Sequence, residues 1–459
     1  LTSSPSLTHT FTPSYTPSPT FSATPGLTKT LIPTYTPTDS YEAALGGGVG
    51  ALVIAEALNI RNGPGDQFDI IAHLEQDSLV QILGTDSNQA WFFIEYGDGS
   101  RGWIYGGFVQ VIGDLALAPN TEPTSLPDRV FLGDRMTWLQ QQFNNCAPTA
   151  VTIALTYYGG TEDQNVARSY LRPSFEQDVS VDIAQMVDYI NETQPGLHSV
   201  WRMGGNWTII RQLVAAGFPV IIETSVAVRD PEPGWAGHNR VVVGYEGSNI
   251  LTYDSFLGHG NYQGYAIPES ELDEVWRHMN RHFMVIYPIE REAEVAYLMG
   301  EIWALPRSLD RAHNIALAEM RANPQNVFAH FNLGATYTAL GQYDLAAEEF
   351  DLAFEISKNV PIDEGIPFRI FWYQFSIFEA YYQTGRYNEV IDNARRALQN
   401  MGGNATEELY YWLALGYAGR GQIDRAREEL QKAIDFNPGY DPAIKALSEI
   451  NAGTYRAPF

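Results

Sequence analysis

The sequence predicts a multidomain chain: a small all-β barrel, an α+β domain and an all-α repeat solenoid, in that order, behind a disordered or extended Ser/Thr/Pro tail. Three patterns carry this. Short alternating runs split by turn residues fill 50–112, helical runs followed by β-branched runs fill about 130–290, and from about 293 onward a helical pattern recurs. At 459 residues the chain is also too long for one ordinary domain.

The first 40 residues are mostly Ser, Thr and Pro, as in FTPSYTPSPTFSATP. Proline favours extended polyproline backbone, and the apolar periodicity needed for a core is missing. Residues 1–48 read as an exposed stalk with O-glycosylation, or equally as an unmodified linker. Either use places the chain outside the cell or at its surface, with any signal or anchor upstream of Leu1. The sequons at Asn191, Asn206 and Asn404 are further glycosylation candidates.

A formal net charge of −26 argues against nucleic acid and anionic lipid as partners, because both require a basic face. The single cysteine excludes an internal disulfide, and the scattered histidines lack metal-ligand spacing, so no metal or cofactor is expected. No apolar run reaches the length of a membrane span.

Within 49–112, "ALNIRNGPG" sets a strand before a Gly-Pro-Gly turn. "DIIAHLEQDSLVQILG" and "AWFFIEYGDGSRGWIYGGFVQV" add about four more strands, with Asp98-Gly99 as a hairpin signal. Five short strands in so few residues make a small barrel. The run Leu58-Asn59-Ile60-Arg61, Gly63-Pro64-Gly65, Trp91 and Gly102-Trp103-Ile104 resembles the bacterial SH3-like domain. That resemblance implies binding of cell-wall peptide or another surface ligand; the alternative is a spacer with Trp91 and Trp103 in its core. Residues 113–129 are a proline-punctuated linker.

In the middle region, 130–290, "CAPTAVTIALTYYGG" starts a helix with Pro148 in its first turn and stops at Gly159-Gly160. "SVDIAQMVDYINE" and "NWTIIRQLVAAG" are two more helices. "FPVIIETSVAV", "HNRVVVGYEG", "SNILTYDSF" and "RHFMVIYPI" are strands, which together make an α+β domain.

Cys146 falls at the start of the first of these helices, where unpaired N–H groups and the helix dipole favour a thiolate. Its own N–H and a glutamine among Gln140, Gln141 and Gln142 could form an oxyanion hole. Among the histidines, His238 opens a strand and Asp254 follows in the next, so thiol, imidazole and carboxylate have the types that nucleophilic catalysis requires. His259, His278 and His282 lack a comparable partner. Register sets a condition. With a regular Glu246–Asn249 turn, Tyr245 faces Ile250, and His238 and Asp254 fall on opposite faces. A three-residue loop or one bulge would bring Asp254 opposite Arg240, on the face of His238, and because bulges are frequent beside active sites one is expected here.

The pair "NNCAPTAVTIALTYYGG" and "GHNRVVVGYEGSNILTYDSF" resembles the papain-like cysteine peptidases of the double-glycine leader-peptidase group, in their secreted peptidase-like branch. The resemblance implies Cys146 as nucleophile, His238 as general base and acid, Asp254 as orienter and Gln141 as oxyanion donor, with Gln140 as the alternative donor. It implies a peptide or protein substrate hydrolysed at a peptide bond. Where that family has glycine after the nucleophile, this chain has Ala147, whose methyl is expected to crowd the substrate or the oxyanion-hole backbone. Together with the stalk and the two binding-type modules, this supports a second reading beside the hydrolase: a catalytically silent surface adhesion, scaffold or filament-forming protein.

From 291 to 459, placing Gly341, Gly385 and Gly421 in inter-helix turns aligns three units. Leu333, Gly334, Tyr337, Ala346, Phe350 and Ala353 in the first match Leu413, Ala414, Tyr417, Ala426, Leu430 and Ala433 in the third; a weaker earlier unit has Gly300, Trp303, Ala312 and Pro324. These positions resemble the tetratricopeptide repeat. The wide spacing from Gly341 to Gly385 implies an insertion around Ser357–Pro367, against a repeat of about 34 residues. Small residues are required where helices cross. The repeats are expected to bind a protein partner or pack on the neighbouring domain, and with the tail they offer a route to self-assembly.

Overall fold

Alternation in the N-terminal unit builds seven strands rather than five: β1 (Gly50–Val53), β2 (Ala57–Arg61), β3 (Ile70–Glu75), β4 (Leu79–Thr85), β5 (Trp91–Tyr96), β6 (Ser100–Tyr105) and β7 (Val109–Ile112). They form one antiparallel sheet ordered β3-β2-β6-β5-β4-β1-β7. The extra strands, β1 and β7, pair the two ends of the unit, with Gly50 opposite Ile112. Trp103 is fully buried, whereas Trp91 is half-buried and leads a row of rings through Tyr105 to the exposed Phe108, with centroids 5.4 and 5.6 Å apart. The structure, a computed structural model, describes residues 48–459 except 66, 67, 69, 87, 88, 98, 99, 119–125, 174–180, 229–233, 361–364 and 400–405. The Ser/Thr/Pro tail, the Asp98-Gly99 turn and Asn404 therefore lie outside the described residues.

The middle domain opens with β8 (Arg129–Phe131), α1 (Cys146–Thr156), α2 (Gln164–Leu171) and α3 (Ile183–Thr193). It continues through β9 (Leu197–Arg202), α4 (Trp207–Ala215), β10 (Val220–Val228), β11 (Gly234–Glu246), β12 (Asn249–Tyr253), β13 (Tyr265–Pro268), α5 (Glu269–Trp276) and β14 (Phe283–Pro288). The sheet runs β13-β12-β11-β10-β14-β9, with β8 also on β11. Its residues alternate between two cores. Ile221, Val241, Val243 and Met284 face α1 residues such as Val151, Ile153 and Ala154, while Val220, Ile222, Val242 and Val285 face Ile210 and Leu213 of α4. This two-sided burial explains why β10, β11 and β14 are almost continuously apolar in sequence.

The remaining helices are α6 (Glu292–Met299), α7 (Leu305–Ala322), α8 (Val327–Ala339), α9 (Tyr343–Ser357), α10 (Ser376–Gln383), α11 (Tyr387–Gln399), α12 (Glu407–Gly419), α13 (Ile423–Phe436) and α14 (Asp441–Asn451). Gly341, Gly385 and Gly421 end α8, α10 and α12 at φ of 71°, 72° and 71°. That left-handed turn is where glycine costs least. In the weaker early unit, Val295, Met299 and Ile302 join the core beside α4 instead of stacking within the solenoid. The lengthened spacing between Gly341 and Gly385 holds a short 3₁₀ turn at Phe368–Trp372, ahead of a shortened α10. No helix among the described residues is long and apolar enough to cross a membrane.

Candidate active site

The β11–β12 hairpin turns at Glu246–Asn249 with Tyr245 opposite Ile250, as expected, and then shifts register between Val242 and Gly244. The extra residue is Val243. Past it Val241 pairs Tyr253, so one step further brings Asp254 beside Arg240. Gly244, beside the bulge, is where β8 packs on β11. A Cβ on Gly244 would sit 2.1 Å from the Val130 carbonyl oxygen of β8, so only glycine lets β8 approach there. The bulge puts His238, Arg240 and Asp254 on one face, as the sequence required.

Asp254 is fully buried and saturated. Its Oδ1 accepts from His238 Nε2 and from the N–H groups of Phe256 and Leu257, each at 2.8 Å, and its Oδ2 accepts from Arg240 Nε at 2.9 Å. Burial would raise its pKa, but the charges of His238 and Arg240 and these hydrogen bonds hold it well below the usual carboxylate range. Arg240, itself buried, also reaches Thr224 Oγ1.

With Nε2 committed to Asp254, His238 uses its other ring nitrogen for the Cys146 thiol. Burial alone would lower the imidazole pKa. The Asp254 carboxylate, through charge and hydrogen bond, and then the thiol outweigh it, pushing His238 up to about 9 against the opposing charge of Arg240. For Cys146 burial likewise raises the pKa, and His238 with the backbone and side-chain hydrogen bonds of Asn239 brings it below the ordinary thiol value. Such an arrangement favours a thiolate beside an imidazolium. Phe256 lies 6.3 Å from the His238 ring, edge to face, and is half exposed.

Comparison with known proteins agrees with the middle and flanking regions. Residues 134–284 match the Peptidase_C39 like family, 56–110 the bacterial SH3 domain, and 329–360 and 407–440 the tetratricopeptide repeat. The middle domain is a C39-like peptidase domain. No curated protein matches the chain. Among solved structures, a protein from Bacillus anthracis described as a C39-like peptidase shares 15% identity, covering 35% of this chain and 97% of its own at a TM-score of 0.28. The peptidase domain of Streptococcus ComA, a bifunctional ABC transporter involved in a quorum-sensing pathway, shares 12%, covering 34% and 98% at 0.26. MamA from Desulfovibrio magneticus RS-1 shares 19%, covering 32% and 76% at 0.26.

In the C39-like domain the two candidate oxyanion donors separate. Gln141 donates its N–H to the Ser255 carbonyl at 3.0 Å, and its Oε1 accepts from Ser255 Oγ at 2.8 Å, one residue past Asp254. Gln140 is exposed, and its carbonyl is taken by Gln164 Nε2. Gln164 was not anticipated from sequence. Its Oε1 accepts from Gln142 N–H, Asn145 Nδ2 and Thr149 Oγ1, so one α2 side chain pins the loop ahead of the nucleophile. Buried Arg172 adds a bond to the Asn144 carbonyl at 2.6 Å, where Asn144 takes a left-handed φ of 52°.

Ala147, next to the nucleophile, is buried. It is 2% exposed, packs in the α1 core and lies in the first turn of the helix. The other histidines serve elsewhere. His282 Nδ1 pairs with Glu223 at 2.8 Å, His259 stacks on Tyr262 at 3.9 Å, and His278 stacks on Phe328 of α8 at 3.7 Å. No cluster of His, Cys, Asp and Glu that could hold a metal occurs among the described residues.

Proposed function

We propose that this chain is an extracellular or cell-surface thiol hydrolase of the secreted, double-glycine leader-peptidase-like branch, cleaving peptide bonds with Cys146, His238 and Asp254. The observation that carries this is the bulged hairpin that gives His238 a 2.8 Å bond to Asp254 while its other nitrogen meets Cys146 at a helix start. His238 holds the proton of Cys146, and the thiolate attacks the scissile carbonyl. The oxyanion accepts from the Cys146 N–H and the Gln141 amide. His238 then protonates the leaving amine, and a water deprotonated by His238 releases the acyl group. Asp254 stays ionised and keeps the imidazole oriented.

The catalytically silent scaffold reading, which draws on Ala147, the stalk and the two binding-type modules, is the alternative that the same experiment separates. Substrate would be delivered through the SH3-like ring row at Trp91, Tyr105 and Phe108 and through the repeats, acting on a protein partner or a surface ligand. The test is a peptide-library digest with wild type and Cys146→Ala, alongside labelling by a thiol-reactive probe. Cleavage and labelling are expected only with Cys146 present; cleavage that survives C146A would end the proposal.

A further inference from the structure

The edge of β11 that faces Cys146 carries a second visitor. Past Val241 toward Gly234, no strand among the described residues pairs with β11 on the side away from β10. On that free edge the Asn239 N–H points at the Cys146 sulfur, and the Gly237 N–H, two residues along, is held by the Tyr373 hydroxyl. Tyr373 belongs to the repeat domain. Its ring lies so close that a Cβ on Gly237 would be 2.8 Å away, and it meets Trp235 with centroids 6.0 Å apart. Arg369, from the same 3₁₀ segment, covers Gly234.

This segment directly follows the insertion around Ser357–Pro367, inside the lengthened interval between Gly341 and Gly385. The contact is braced from behind. Asn332 of α8 donates to the Arg277 carbonyl at 2.7 Å, Gln374 donates to the His278 carbonyl at 3.3 Å, and Phe328 stacks on the His278 ring. Burial, with Arg277 adding to it, lowers the His278 pKa to about 3, so the stacked ring stays neutral at ordinary pH. An antiparallel strand rises about 3.4 Å per residue, which places the phenol roughly 7 Å along the edge from the nucleophile's N–H contact. An extended substrate advances by a similar step.

We propose that Tyr373 is a specificity-determining wall: the repeat domain uses it to close one end of the cleft, limiting an extended substrate to about two residues on that side of the scissile bond. The inference rests on Cys146 being the nucleophile, and its test separates the two. Because Cys146 is the chain's only cysteine, alkylation reads this site alone. Peptidyl vinyl sulfones lengthened from one to four residues on either side of the electrophile are compared with iodoacetamide in the full chain.

In wild type the alkylation rate is expected to drop about tenfold beyond two residues on one side only, the scale of a modest steric clash. Tyr373→Ala and Tyr373→Leu should remove the drop, Tyr373→Phe should keep it, and iodoacetamide should react within about twofold in all four proteins. If Y373A fails to fold, Y373L carries the comparison. A length profile that is flat in wild type, or unchanged in Y373A and Y373L, overturns the wall while leaving the nucleophile standing. Failure of even iodoacetamide to react overturns the nucleophile and the wall with it.

Discussion

Replacing Asp254 by asparagine probes the electrostatics of the site most directly. Three donors converge on Oδ1 and the Arg240 guanidinium on Oδ2. An amide of the same size offers one acceptor oxygen. If that oxygen faces the three donors, its NH₂ meets the Arg240 guanidinium, donor against donor; if it is reversed, three donors lose their acceptor. In both cases Arg240, only 4% exposed, keeps its charge without a counter-charge. Removing one partner of a buried pair costs about 3–5 kcal/mol. For a domain of this size that is roughly 10 °C of Tm. Adding Arg240→Met removes the orphaned cation, so D254N in that background should cost only about 1–2 kcal/mol, the scale of its remaining hydrogen bonds. Calorimetry of the full chain across the four proteins measures the coupling, expected at about 2–3 kcal/mol. A cost for D254N that is the same with and without R240M would refute the ion-pair account, and a D254N as stable as wild type would refute the saturation argument.

Other outcomes follow from the same geometry. Iodoacetamide should still alkylate Cys146 rapidly near pH 7, where an ordinary thiol is only about 3% ionised; a profile with an ordinary thiol midpoint would contradict the His238 contact. In pH titrations of stability, the His238 contribution should be complete below its ordinary pKa of 6.5 and be lost as pH rises through about 9, because the folded value is the raised one. The Asp254 contribution has the opposite sign, present above 3.8 and lost as pH falls through its depressed folded value. Gln141→Ala should lower kcat about 100-fold with little change in KM if the amide serves the oxyanion, and an equal loss for Gln140→Ala would count against that assignment. Gly244→Ala forces β8 away from the Val130 carbonyl contact or undoes the bulge, so it should cost more than about 1 kcal/mol and slow Cys146 alkylation at pH 7; wild-type rates would show that the bulge is not held by Gly244.

What could be read from the chain alone divides along physical lines. Apolar period revealed the three architectures, because burial of one face or two is written in every third or second residue. A bulge or a three-residue loop was legible as a condition for His238 and Asp254 to share a face, but the role of Gly244 beside it was not, because Gly244 meets β8, a strand more than a hundred residues earlier in the chain. Arg240 carried a signal that went unused. A charge inside "HNRVVVGY" must be neutralised if that strand is buried, and Asp254 had already been placed opposite it. Gln164 had no such mark, because a polar residue at a helix start is ordinary until the loop it holds is seen. Tyr373 is the instructive case. Its segment registered only as an irregular repeat spacing, and a solenoid whose sole task was stacking would gain nothing from extra residues there. The stretch just after the insertion instead reaches the free edge of β11, where Gly237 leaves room for the Tyr373 ring, and two glycines three residues apart in a strand otherwise weaken it. Repeat insertion and strand glycines explain each other only if the repeat domain is part of the cleft.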